Sequence, residues 1–332
     1  MPDLIVCLIY VTYLNRFGDN FESRVDMSKI GLVVEGGGMK CAYSAGLLDA
    51  FLDDNISFKY CIGVSAGSAN VASYLAGQRG RNKRFYTEHI YEPGFFGFRS
   101  YFKNRNLFGL QYIYGTLSNS NGADYLDYRK MILNPAEYLI VATDANTGEP
   151  KYFDKEEMPK DDYRIIMASS AMPGLCLPVE IDGHYYFDGC VSDSIPVKKA
   201  LDDGCDKVVV ILSKPRDYVK KPEKLRGFYA FKCKNYPKVV ESLNNRHITY
   251  TESQQQVFEL EKQGKVFVFA PNESVKLSTF NMDAKANGKL YDMGLEDYIN
   301  RRDKFRSFMG ISQEPFIVEE KQQLQELSSV SD

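Results

Sequence analysis

Histidine is scarce in this chain, with three copies in 332 residues. His89 sits in a Tyr-rich segment, His184 precedes an aromatic trio, and His247 falls in a long polar stretch. None has a setting that singles it out as a general base, and the scatter argues against a zinc site. The seven cysteines show no paired or metal-like spacing and read as reduced thiols of a cytoplasmic protein. A formal net charge of -3 leaves no basic field. Nucleic acid is therefore not an expected partner, and no polybasic patch recruits an anionic membrane. The apolar stretch Leu4 to Leu14 spans 11 residues, too few to cross a bilayer, and lacks the positively charged start of a signal peptide. There is no internal repeat.

What the chain does have is core-forming sequence: 44% of residues are hydrophobic and 26% charged. That suffices for one large α/β domain with an appendage. Lys29 to Glu35, Phe58 to Ile62, Glu137 to Thr143 and Lys207 to Ser213 read as buried strands. Ala42 to Leu52, Ser68 to Ala76, Asp161 to Met172 and Val197 to Asp203 read as helical. The alternation predicts a largely parallel sheet covered on both faces, with active residues gathered at the C-terminal edge of its strands.

Two turns in this framework carry chemistry. Gly63-Val64-Ser65-Ala66-Gly67 joins a strand to a helix, and a Gly-x-Ser-x-Gly turn in that context holds its serine in a sharp bend with the hydroxyl outward. Ser65 is thus a candidate nucleophile, with Gly63 and Gly67 as the glycines that the bend needs. Upstream, Gly36-Gly37-Gly38-Met39-Lys40 follows the first strand and opens a helix. Such a turn exposes consecutive N–H groups, which suit either a phosphate or a reaction oxyanion. A dinucleotide fingerprint would require a sixth-position glycine, where Cys41 stands, and an acidic residue ending the second strand, where Gly63-Val64-Ser65 stands. A donor loop serving a nucleophile on the neighbouring strand fits better. For the base, Gly183 to Gly189 reads as a short aromatic strand ending in Asp188-Gly189, which projects Asp188 at a strand end.

Together these pieces resemble the patatin-like phospholipase family. Its glycine-rich oxyanion loop corresponds to Gly36, Gly37 and Gly38, its Gly-x-Ser-x-Gly nucleophile to Ser65, and the Asp-Gly that carries its base to Asp188 and Gly189. Ala168-Ser169-Ser170-Ala171-Met172-Pro173 matches the block that precedes the Asp strand, and Ser194-Ile195-Pro196 the one that follows. Two positions depart from the pattern: Cys41 replaces the last loop glycine, and Cys190 follows Asp-Gly where Gly or Ala is usual. The resemblance implies a three-layer α/β/α patatin-like fold. It also implies hydrolysis of fatty-acyl esters by a Ser65–Asp188 dyad, with Gly37, Gly38 and Met39 as oxyanion donors and neither metal nor cofactor. A general esterase or thioesterase using the same dyad is an alternative, and a non-catalytic lipid- or nucleotide-binding protein is another.

The remaining sequence divides by composition. Residues 1–27 form an N-terminal extension, read either as a start assigned ahead of a true Met27 or as a weak membrane-associating segment. Residues 28–215 form the catalytic domain, 216–312 a C-terminal helical and mixed extension, and 313–332 a polar tail. Tyr91 to Tyr114 holds nine Phe or Tyr residues without a clean period, which fits either a cap lining an acyl pocket and touching a membrane or a buried packing segment. In the extension, Lys224 to Gly264 and Ala284 to Phe308 read as helical and Lys265 to Ala270 as one strand. An added layer on the core and a partner surface are the two readings.

Overall fold

The computed structural model describes residues 28–97, 106–272 and 279–311. The expectations for residues 1–27 and the polar tail lie outside the described residues, as do Arg99, Lys103 and Arg105 of the aromatic segment. Eight strands form one sheet in the order β5-β6-β3-β2-β1-β7-β8, with β4 also paired to β3. They are β1 (Ile30–Val34), β2 (Tyr60–Val64), β3 (Glu137–Asp144), β4 (Pro150–Asp154), β5 (Val179–Ile181), β6 (His184–Asp188), β7 (Lys207–Ile211) and β8 (Val266–Phe269). Five neighbouring strands, β3-β2-β1-β7-β8, run parallel, with β8 at the sheet edge. β4, β5 and β6 form an antiparallel margin beyond the expected parallel core.

The longer helices among the described residues are α1 (Ala42–Asp53), α2 (Ala66–Leu75), α3 (Arg81–Thr87), α4 (Tyr128–Leu133), α5 (Arg164–Ser169), α6 (Val197–Asp202), α7 (Arg226–Lys232), α8 (Pro237–Lys262) and α9 (Ala284–Met309). Strand residues alternate between two apolar layers even where every side chain is buried. Ile30, Leu32 and Val34 join a core with α1, α2 and α9 on one face. Val33, Ile62, Val208 and Val210 join Val197, Ala200, Tyr250 and Val257 of α6 and α8 on the other. The stretch expected as one helix from Lys224 breaks before Pro237, which opens α8 because proline fits the first helical turn and no later one.

The C-terminal segment is integral to this core. β8 pairs in parallel with β7, Val208 opposite Val266. α9 lies directly on α1: a Cβ added to Gly46 would fall 2.0 Å from Tyr291 O, and one added to Gly294 would fall 2.2 Å from Tyr43 O. This reciprocal backbone approach brings Phe51 and Phe305 into a stack 5.1 Å between centroids and lets Asp54 receive Arg302, Arg306 and the Tyr298 hydroxyl.

Gly294→Ala is expected to force the two helices apart and cost about 1–3 kcal/mol in urea denaturation, the usual penalty of overpacking. Gly288→Ala is the control. It lies in the same helix with its nearest non-local atom 3.9 Å from an added Cβ, and should gain about 0.5–1 kcal/mol from helix propensity.

Candidate active site

Ser65 follows β2 with φ 54° and ψ -130°, a left-handed conformation that a serine does not adopt unless its surroundings hold it there. The hold is visible: its N–H donates to Ser169 Oγ at 2.8 Å, and the Ser68 N–H closes back on its carbonyl at 2.9 Å. The flanking glycines are needed for close approach, since a Cβ on Gly63 would meet Ser68 Cα at 2.5 Å and one on Gly67 would meet Val34 O at 2.6 Å. The strand-turn-helix bend is thus present, with Ser169 of the Ala168–Pro173 block as its support.

Asp188 reaches Ser65 through the sheet register. Val64 pairs with Val141, and Ala142, one residue further along β3, pairs with Asp188 at the end of β6. Ser65 and Asp188 therefore flank β3 at one height, about two strand spacings or roughly 10 Å apart in backbone. Their side chains close that gap, and Ser65 Oγ donates to Asp188 Oδ2 at 2.9 Å. The other carboxylate oxygen accepts the Cys190 N–H at 2.9 Å, and the Asp188 carbonyl accepts Thr143 Oγ1 at 2.8 Å. Asp188 is 2% exposed. Burial raises its pKa above the usual carboxylate range, against the opposing pull of the Cys190 contact, the nearby Arg246 charge and the Ser65 hydroxyl.

The glycine loop stands beside this pair, where a Cβ on Gly36 would come within 2.8 Å of Ser65 Cβ. Among the described residues the N–H groups of Gly36, Gly37 and Gly38 donate no hydrogen bond. The Met39 N–H does, to Thr279 O at 3.0 Å. Of the four residues expected to donate to an oxyanion, Met39 thus has its N–H engaged, while the glycine N–H groups find no acceptor among the described residues.

The histidines lie elsewhere. His89 sits between Asp124 at 3.0 Å and Glu92 at 2.7 Å, His184 is exposed at the start of β6, and His247 contacts Asn244 O within α8. Cys41 is buried with its thiol 3.5 Å from Glu35 O. The Cys190 thiol is also buried, and burial pushes its pKa up, so it is poorly suited to oxidation or nucleophilic attack. Arg246 of α8 went unnoticed in sequence. Its Nε donates to Cys190 O at 2.6 Å, so a helix from the C-terminal segment steadies the turn that presents Asp188.

Ser65, Asp188 and the three glycines line a cavity of about 640 Å³. Its apolar lining includes Phe85, Phe95, Phe108, Leu110, Ile113 and Ile166, so part of the aromatic segment forms cavity wall, while its Tyr91 is exposed. Among the described residues no group of His, Cys, Asp or Glu is placed to hold a metal ion, and no helix is long and apolar enough to cross a membrane.

A mixed α/β sheet flanked by helices thus carries a serine bend and a buried carboxylate in the wall of an apolar cavity. The chain belongs to the patatin-like phospholipase family, whose model matches residues 32–201, about half of its length. A second model, a domain of unknown function called DUF6363, matches residues 236–310. Over 197 residues the chain is 28% identical to the uncharacterized protein YjjU of Escherichia coli strain K12, a match that covers 59% of this chain and 55% of that relative. It thus spans about half the length of that relative. The crystal structure of VipD from Legionella pneumophila superposes with a TM-score of 0.43 at 12% identity, covering 83% of this chain and 67% of the other.

Because the folded Asp188 carboxyl titrates above its ordinary 3.8, its ionised form destabilises the fold. Asp188→Asn should therefore melt at a higher temperature than the parent protein above the folded pKa. The advantage should shrink as pH falls and vanish below 3.8, where both folded and unfolded states bind the proton. Calorimetry across pH checks this.

Proposed function

We propose that the protein is a serine acyl hydrolase that cleaves fatty-acyl esters of phospholipids or related lipids. The observation that carries this reading is the hydrogen bond between Ser65 and Asp188 in the wall of an apolar cavity. Ser65 Oγ attacks the ester carbonyl carbon as its proton passes to Asp188 Oδ2. The N–H groups of Gly37 and Gly38 receive the oxyanion. The intermediate collapses, and the departing alcohol takes the proton from Asp188. Water then attacks the acyl-serine with Asp188 again accepting the proton, which releases the fatty acid and restores the serine.

A carboxylate is ordinarily a weak base at neutral pH. Burial that raises the Asp188 pKa strengthens it for this task. The acyl chain lies against Phe95, Phe108 and their apolar neighbours. In this reading the enzyme works in the cytoplasm, and the exposed Tyr91 at the head of the aromatic segment makes peripheral contact with the lipid surface as substrate enters.

A fluorophosphonate probe should label Ser65 in the parent protein. Ser65→Ala and Asp188→Asn should each lower hydrolysis of nitrophenyl butyrate by roughly 1,000-fold or more, with the circular dichroism spectrum unchanged. Retained turnover in Asp188→Asn would sink the dyad. Phe95→Ala should reduce kcat/KM for long-chain nitrophenyl esters more than for the butyrate, and an equal loss on both would separate the cavity from acyl binding.

A further inference from the structure

The acyl-transfer reading leaves one part of the cavity without a use. Lys214, Lys220, Lys221, Lys224 and Arg246 all line it, four from the segment after β7 and one from α8. Three carboxylates sit among them, one of them Asp188, whose charge faces Arg246. Glu35 pairs with Lys214, while Glu223 lies 2.6 Å from Lys220 Nζ and 3.2 Å from Arg246 Nη1. Lys221 and Lys224 are exposed and have no acidic partner among the described residues. The remaining guanidinium nitrogen of Arg246, Nη2, makes no hydrogen bond among them either.

Lys40 adds to the imbalance. Its Nζ lies 5.9 Å from the centroid of the Tyr218 ring, which Lys214 approaches to 5.6 Å. Burial, and then repulsion from Lys214, hold the Lys40 ammonium below its ordinary pKa. Cations thus outnumber carboxylates in a concave, partly desolvated surface, the arrangement that concentrates positive potential and recruits an anion. This in a chain whose overall charge is -3.

The patch adjoins the reacting groups, since Arg246 bonds to the carbonyl of Cys190, two residues beyond Asp188. An ester held at Ser65 would have apolar lining available for its acyl chain and a basic patch available for its leaving group. We propose that these cations form a head-group site for a lipid bearing a phosphate of uncompensated negative charge, which is favoured over a zwitterionic head. The free edge of the Arg246 guanidinium and the lysine ammoniums donate to phosphate oxygens, whereas a head-group amine would add positive charge to a surface already rich in it. This inference rests on the serine-hydrolase reading and names the substrate class of that site.

Short-chain lipids below their micelle concentration provide the test, because no membrane surface is then present to attract the protein. Dihexanoyl phosphatidylglycerol should exceed dihexanoyl phosphatidylcholine in kcat/KM by about tenfold, the scale of a charge-assisted hydrogen bond, and added salt should erode the difference. The double variant Lys221→Gln, Lys224→Gln should cut that preference about threefold, as expected for exposed charges, with nitrophenyl butyrate turnover unchanged. Equal kcat/KM for the two lipids, or an unaltered preference in the double variant, overturns the site. Millimolar inorganic phosphate that blocks nitrophenyl butyrate turnover, with no lipid preference, marks a free-phosphate site and also overturns the head-group assignment. Loss of both nitrophenyl turnover and fluorophosphonate labelling in the parent protein overturns the hydrolase reading instead.

Discussion

Val34 lies beside Gly63 in the parallel ladder of β1 and β2, and this register sets the height of everything chemical in the molecule. Parallel neighbours end on the same side, so the glycine loop after β1 and the serine bend after β2 emerge together. The same ladder continues through β3, whose Ala142 meets Asp188 on β6. A slip of one residue anywhere along these pairings would turn side chains to the opposite face and separate the hydroxyl from the carboxylate. The buried, alternating strand faces resist such a slip, because each would have to exchange one apolar layer for the other.

The second constraint is a charge that the core would rather exclude. Asp188 is held ionisable in a buried place by three kinds of help: a backbone N–H from Cys190, the Ser65 hydroxyl and the nearby Arg246 guanidinium. Arg246 comes from α8, within the segment matched by DUF6363, while Asp188 lies in the segment matched by the patatin-like model. The two sequence regions therefore meet at one turn. α9 and β8 bind the same C-terminal segment to the core, through the glycine-mediated approach of α9 to α1 and the pairing of β8 with β7. The segment thus supplies a strand of the sheet and part of the cavity wall.

Much of this was legible in sequence. The five parallel strands announce themselves as short runs such as LVV, CIGV and KVVVI, and strong local patterns of this kind mark elements well, though the margins shift by a residue or two. The serine bend was legible because its glycines have no substitute at such close approach. β4 is not legible in this way: Pro150 to Asp154 is polar and short, and it becomes a strand because β3 offers it an antiparallel edge. Nothing local to Met39 reveals that Thr279, some 240 residues later, takes its N–H.

By itself, the sequence determined the parallel α/β core, the bend at Ser65 and the strand end at Asp188, since each follows from local sterics and apolar periodicity. Only the tertiary structure decided which amides remain free, that Arg246 reaches the turn after Asp188, and that scattered lysines gather beside an apolar chamber. These are contacts between residues far apart in the chain. Their partners are selected by packing, and no pattern within a short window of sequence records that selection.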